Sequence, residues 1–425
     1  MTKLRAAEGK LVGIHDRPPD AADAMVDSAA AWQRLVVSVL LMALGGSGMY
    51  VVTVAIPQIQ AEFGVTRSSA SLPFTAAMIG FGIGSIMMGR LADRFGVMVP
   101  LLGASLCVGL GYILAGASGS LWQFAAANGL LVTLLGSSAT FGPLIADTSL
   151  WFARYRGIAV GICASGNYLA GTLWPPIAQH FFSTVGWRQT YVGMGVFFIA
   201  SMLPLALLLR RRPPLAASAA QASRTRSDSQ RPLGMSPGAL QALLCVAGVA
   251  CCVAMSMPQV HIVAYCGDLG YGPARGAEML SIMLGCGIVS RLTFGWICDR
   301  IGGLRTLLVG SGLQGIALLL FLPYKGLVSL YVISALFGLF QGGIVPSYAI
   351  IIREHFRPEE VGSRVGTVLT ATMLGMALGG WMSGAIFDLT DSYRAAFVNG
   401  IGWNLLNLTI ALWLLRRASA QPAPA

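Results

Sequence analysis

Charged side chains are scarce in this sequence. Asp, Glu, Lys and Arg make up 11% of the 425 residues, and 55% are hydrophobic, whereas a soluble globule carries about 25% charged residues. So little polar surface cannot cover a water-soluble particle of this length, and lipid must solvate much of the chain. Acidic groups are the rarest, 17 against 28 Lys and Arg. The eight cysteines (107, 163, 245, 251, 252, 266, 286 and 298) include no doubled CxxC and no Cys/His cluster at metal spacing. They read as small apolar core residues, and no metal or other cofactor is expected. There is no P-loop, no GxSxG turn and no pair of carboxylates inside an apolar run. ATP-driven pumping and membrane-embedded hydrolysis are therefore unsupported, and the chain does not read as an enzyme.

What is present is apolar length. Stretches able to cross roughly 30 Å of hydrocarbon as a helix of about 20 residues recur near 34–56, 70–91, 98–117, 121–146, 158–182, 189–209, 238–264, 276–297, 304–323, 327–352, 362–388 and 394–415. Lipid leaves helices as the economical reading, so the fold class expected is an all-α membrane protein of twelve spans. Of the 28 Lys and Arg, 22 fall in tails and loops on the side of the N-terminus, five (Arg67, Arg188, Arg275, Lys325 and Arg394) fall on the other, and Arg291 lies inside a span. The asymmetry puts both termini in the cytoplasm of a multi-pass inner (plasma) membrane protein. It also accounts for the net charge of +11 through basic loops facing anionic lipid, with no nucleic-acid partner needed. Residues 1–33, which carry Lys3, Arg5, Glu8 and Lys10 without an apolar core, read as a retained cytoplasmic tail. The stretch 210–237 (RRRPP, SRTRSDSQRP) reads as a linker between bundles spanning 34–209 and 238–415, and 416–425 as a second cytoplasmic tail.

The two bundles repeat. Gly89-Arg90-Leu91-Ala92-Asp93-Arg94-Phe95-Gly96 follows the second span and Gly295-Trp296-Ile297-Cys298-Asp299-Arg300-Ile301-Gly302 the eighth, 206 residues later; Trp187-Arg188 and Tyr393-Arg394 open the sixth and twelfth spans at the same offset. An even number of spans separates the copies, so the halves are parallel six-helix repeats about an axis along the membrane normal. In each GxxxDRxG loop, Gly89 or Gly295 lets a neighbouring helix approach. Asp93 or Asp299, flanked by Arg94 or Arg300, can then pair across the halves, with Arg364 for Asp93 and Arg154 or Arg156 for Asp299. Such pairs would form when the cytoplasmic side closes and break when it opens.

The doubled loops resemble the signature of the major facilitator superfamily. Trp151-Phe152, Arg156-Gly157, Gly161, Ala164-Ser165-Gly166, Phe141-Gly142-Pro143 and Gly186-Trp187-Arg188 are similar to its monocarboxylate transporter and oxalate:formate antiporter branch, as are His261, Asp268-Leu269-Gly270 and the run Arg291 to Asp299. The likeness covers roughly 35–415. It departs from the branch in two places: neither the first nor the eleventh span has a Lys, and Gly287 stands where some proton-coupled members place an acid one turn before the eighth-span Arg.

Arg291 is the most informative residue. It lies eight residues before Asp299, about 12 Å up the helix, at a depth where an Arg needs a partner or a cavity. No Asp or Glu sits at that depth in any span, and the equivalent position in the first half is Ser85. A guanidinium there suits a carboxylate brought from outside, and the resemblance implies the same role. It also implies a substrate-contacting, titratable role for His261. Asn167, Tyr50, Phe141, Tyr348 and Trp381 are further candidate cavity liners. The function expected is alternating-access transport of a small organic anion, a monocarboxylate, by H⁺ symport or anion exchange, with one chain as the working unit. The alternative is an exporter of larger amphipathic compounds.

Overall fold

A computed structural model describes residues 25–211, 232–323 and 326–419. It contains twelve long helical passes: α1 (Ala29–Phe63), α2 (Arg67–Phe95), α3 (Met98–Gly116), α4 (Leu121–Ser149), α5 (Arg156–Thr184), α6 (Trp187–Leu208), α7 (Pro237–Asp268), α8 (Pro273–Ile301), α9 (Gly303–Leu320), α10 (Gly326–His355), α11 (Pro358–Thr390) and α12 (Tyr393–Ser419). Eleven are long and apolar enough to cross a membrane. The other, α5, has the length, at 29 residues, but dilutes its apolar content with Asn167, Pro175, Pro176, Gln179 and His180. Residues 1–24 of the 1–33 tail, most of the 210–237 linker and the end of the last tail lie outside the described residues.

Four passes depart from a plain helix: α2 turns at Ser71 and α10 at Gly342–Gly343, and α1 and α4 are interrupted more deeply. In α1 the helix breaks at Gly46, inside the run Gly45-Gly46-Ser47-Gly48, where small residues let α4 and α5 press in. A Cβ on Gly45 would lie 2.4 Å from Thr140, and one on Gly46 2.9 Å from Ala170. In α4, residues Ala127–Gly136 wind as a π-helix, followed by a 3₁₀ turn at Ser137–Thr140. Thr133 Oγ1 donates to Asn128 O, and Ser137 Oγ to Val132 O and Gly45 O, taking up carbonyls that the wider winding frees. Pro143 then restarts the α-helix in its first turn. By contrast α7 runs unbroken through Pro258.

Helices α1–α6 form one bundle and α7–α12 another, and they meet along α2–α11, α5–α8 and α1–α7. Within the first bundle Arg34 corrects an expectation. Counted above among the tail and loop charges, it is a buried residue of α1 whose Nε donates to Asp147 Oδ2 of α4 at 2.8 Å. Its Nη2 reaches Asp147 Oδ1 and Leu209 O, and its guanidinium stacks 4.6 Å over Trp151. A buried charge of this kind persists only when paired and hydrogen-bonded. The pair fastens α1, α4 and the end of α6 at the end of the molecule that carries the GxxxDRxG loops, hereafter the loop end.

Candidate functional site

Arg291 projects from α8 into the seam with α5, roughly 27 Å from the start of its helix and about 15 Å from the end. Its Nη1 donates to the Ala164 carbonyl at 3.0 Å, and its guanidinium carbon sits 4.2 Å over the ring of Tyr168. Its Nε is buried and has no hydrogen-bond partner among the described residues. Among the described residues Arg291 forms no ion pair. Tyr50 of α1 packs on α5, its ring 3.0 Å from where a Cβ on Gly171 would lie, and its hydroxyl donates to Asn167 Oδ1 at 3.0 Å. The Asn167 amide nitrogen has only Met49 Sδ, at 3.7 Å. Both Tyr50 and Asn167 keep part of their surface open. The structure thus brings together Arg291, Tyr50 and Asn167, three of the residues singled out from sequence, and adds Tyr168.

The remaining candidates go elsewhere. Trp381 is 42% exposed and lines a shallow apolar groove of about 360 Å³ with Thr75, Ile79, Val249, Leu374 and Leu378, on the outer surface at the α2–α11 seam. Tyr348 is fully buried inside the second bundle, where its hydroxyl donates to Asn407 Oδ1 at 3.1 Å. Phe141 is half-buried with its ring 6.0 Å from Phe81. None of the three touches Arg291 in the way their depth in the sequence suggested, because depth along a helix does not fix which way a side chain points.

His261 lies seven residues before the end of α7, about 10 Å from that end and on the side of the molecule opposite the loop end. Fully buried, it shares a hydrogen bond with Gly380 O through Nε2 at 2.8 Å and one with the Tyr393 hydroxyl through Nδ1 at 3.3 Å. It therefore belongs to a cluster that sequence reasoning missed. Arg67, counted above as an outer-loop charge, is 7% exposed. Its Nη1 donates to Tyr393 at 3.0 Å and its Nη2 to Asp268 at 3.1 Å, while its backbone N–H and that of Ser68 donate to the two oxygens of Asp388, each at 2.8 Å. The Phe387 ring lies 4.9 Å from the guanidinium. One residue of the first bundle is thus clamped by three helices of the second, α7, α11 and α12. Packing there is close: a Cβ on Gly384 would lie 2.9 Å from Ser68 Cα.

At the loop end the arrangement is the reverse. Gly89, Gly157, Gly295, Gly362 and Gly366 have open space where a Cβ would be. Asp93, Arg94, Asp299 and Arg300 are exposed, and neither Asp forms an ion pair among the described residues. The basic residues expected to meet them are engaged locally. Arg364 pairs with Glu360 at 2.7 Å, Arg156 Nε donates to Ser149 O, and Arg154 lies over Tyr155. The bundles are thus clamped together at the Arg67 end, while at the loop end neither GxxxDRxG aspartate is paired among the described residues, as expected of a state in which pairs formed by those loops are broken. Neutralising Asp93 or Asp299 should then leave this state intact and weaken the opposite one. Single cysteines at Gly89→Cys or Gly295→Cys, in a chain stripped of its eight native cysteines, should label faster in Asp93→Asn and Asp299→Asn, with slower turnover. Unchanged labelling and turnover in both would remove the loops from the gate.

Two six-helix bundles thus meet around a mid-depth cation, with Arg67 clamped between them at one end and the GxxxDRxG loops exposed at the other. The chain belongs to the Major Facilitator Superfamily, whose family model matches residues 37–327 and 244–425. It is similar to monocarboxylate transporter 13 of Bos taurus, 28% identical over 382 residues that cover 83% of this chain and 86% of that one. It is also similar to the MFS-type transporter opdF of Penicillium oxalicum, 28% identical over 71% of this chain and 70% of that one. Among solved structures, a point mutant of the nucleoside transporter NupG has the same fold, with a TM-score of 0.68 at 14% identity over 91% of this chain and 99% of that one.

Proposed function

We propose that this major facilitator protein carries a small organic anion, a monocarboxylate, with Arg291 as the group that holds the carboxylate. The observation that carries the reading is the guanidinium at the seam of the two bundles, with a buried, unpartnered Nε and no carboxylate partner among the described residues. An Arg at membrane depth in that condition is completed by an anion from solution, and its planar fork fits a carboxylate with two parallel hydrogen bonds. Tyr50 and the amide of Asn167, whose nitrogen is held only by a long contact to Met49 Sδ, offer polar contacts beside it. Transport follows by alternating access: the Arg67 clamp and the GxxxDRxG loops close opposite ends in turn, and rocking of one bundle against the other exposes Arg291 to each side. The charge asymmetry of the sequence favours a plasma-membrane orientation with the loop end in the cytoplasm, so the conformation described here would face inward.

The reading is tested by uptake into proteoliposomes of labelled lactate, pyruvate, formate, oxalate and longer carboxylates, with and without a pH gradient. Arg291-dependent uptake of monocarboxylates is the expected result. Arg291-independent movement of larger amphipathic compounds alone would replace it with the exporter reading. The same assay addresses coupling. A carboxylate held by Arg291 stays ionised, so H⁺ symport needs a second group: His261, hydrogen-bonded to the clamp residue Tyr393, is the candidate this assay addresses, beside helix-end acids such as Asp147 and Glu278 and the clamp acids Asp268 and Asp388. Symport through His261 predicts gradient-driven accumulation that disappears in His261→Ala while exchange of preloaded substrate survives. Accumulation that persists in His261→Ala would exclude that group, and absence of a gradient effect in the unaltered protein would favour anion exchange.

A further inference from the structure

The corner that carries the Arg67 clamp is built twice, once in each half, in one register. Glu62-Phe63-Gly64 ends α1 and Asp268-Leu269-Gly270 ends α7, 206 residues later, and both glycines turn the chain in the left-handed region, at φ 61° and 79°. Helices α2 and α8 then open at Arg67 and Pro273, and α6 and α12 at Trp187 and Tyr393, again 206 apart. In the first half the corner closes on itself. Arg188 Nε and Nη2 both donate to Glu62 Oε1, at 2.9 and 2.6 Å, and Trp187 Nε1 donates to Oε2. In the second half the equivalent acid, Asp268, accepts from Arg67 of the other bundle instead. The equivalent of Arg188 is Arg394, which is exposed and forms no ion pair among the described residues. Beside it, Tyr393 accepts from Arg67 Nη1 and sets its ring 5.2 Å from that of Tyr265, one turn before Asp268 on α7. Pro273 stands at the repeat position of Arg67 and offers Glu62 no such arm.

We propose that Asp268 exchanges partners during transport: it holds Arg67 of the first bundle while this end is closed, and Arg394 of its own bundle once the end opens. This rests on the alternating-access reading and not on what is carried. Separation of the bundles takes Arg67 away from α7 and α12. It leaves the Asp268 carboxylate, whose side chain is already 37% exposed, with a basic residue at the repeat position that Arg188 occupies toward Glu62. Arg275, the other arginine that follows Asp268 in the chain, is held by Glu278 at 3.0 Å. A carboxylate released with no substitute would weigh against the opened state. A substitute from the same bundle keeps the two states close in free energy, as repeated passage between them requires. The Arg188–Glu62 pair of the first half shows the form that this second pair would take.

The test is labelling of single cysteines at Ser68→Cys and Gly89→Cys, in the full-length protein stripped of its native cysteines and held in proteoliposomes. Arg394→Ala removes only the partner of the opened state, so Ser68→Cys should label more slowly, by about two- to fivefold, the worth of an exposed ion pair. In Arg67→Ala, which populates the opened state, adding Arg394→Ala should slow Ser68→Cys and speed Gly89→Cys by a similar factor, partly undoing the first substitution. Both effects should vanish in Asp268→Asn, where Arg394→Ala should change neither label, and Arg394→Lys should keep most of the unaltered behaviour. Labelling that ignores Arg394→Ala would overturn the exchange, as would an Arg394→Ala effect that survives in Asp268→Asn or that moves both labels the same way. Labels that fail to move in opposite directions in Arg67→Ala alone would instead reject the two-state reading on which the exchange depends.

Discussion

Arg291→Lys should lower monocarboxylate uptake at least tenfold, although it keeps the positive charge. An ammonium cannot present the planar pair of donors that a carboxylate meets side by side, and it cannot lie flat over Tyr168 as the guanidinium does at 4.2 Å. Losing one charge-assisted hydrogen bond is worth about 1.5–3 kcal/mol, which alone is about a tenfold loss or more. Arg291→Ala should lose more, since no other cation is in contact with Tyr168 or Ala164 among the described residues. Rate measurements in proteoliposomes check both. A lysine variant with near-normal uptake would mean that charge rather than geometry is what the site supplies.

The second large effect belongs to Arg67. Arg67→Ala removes the hydrogen bonds to Asp268 and Tyr393 that tie α2 to α7 and α12, and leaves only the backbone bonds to Asp388. Asp268 is partly exposed, so water softens the loss at that partner, whereas the arginine itself is buried. With one charged hydrogen bond worth about 1.5–3 kcal/mol, the balance between the two states should move roughly ten- to a hundredfold away from the conformation closed at this end. Accessibility of a single cysteine at Ser68→Cys should rise, and accessibility at Gly89→Cys should fall as the opposite end closes. Movement of both labels in the same direction would indicate local loosening rather than a shift between two states.

The spans were legible because lipid permits so little else: twelve apolar runs became twelve helices, with ends moved by a few residues. The break at Gly46 and the π-winding of Ala127–Gly136 were not, since hydropathy registers how apolar a run is and not how its backbone hydrogen bonds are spaced. Arg291 stood out in the sequence as a charge inside an apolar run with no acid at its depth, and the structure places it at the seam without an ion pair among the described residues. Arg67 and Arg34 were hidden by their positions near helix ends, where a charge looks solvated; their burial depends on the partners that other helices bring. A usable signal did exist for the clamp. Glu62 and Asp268 stand 206 residues apart, the spacing of the repeat, and both bind arginine. Glu62 holds Arg188 within its own bundle, while Asp268 reaches across to Arg67. Repeat-equivalent acids mark the same corner of each half, but only packing shows which of them crosses the seam. Likewise, the depth of His261 could be counted along α7, while its direction, toward Gly380 and Tyr393 and into the closed end, could not.

The central claim is that Arg291 binds the transported anion, and equilibrium binding tests it without the complications of turnover. Calorimetric titration of the purified protein with pyruvate and with lactate should give saturable binding in the unaltered chain. None should be detectable in Arg291→Ala that retains its thermal unfolding transition. Equal affinity in the folded Arg291→Ala protein would contradict the account.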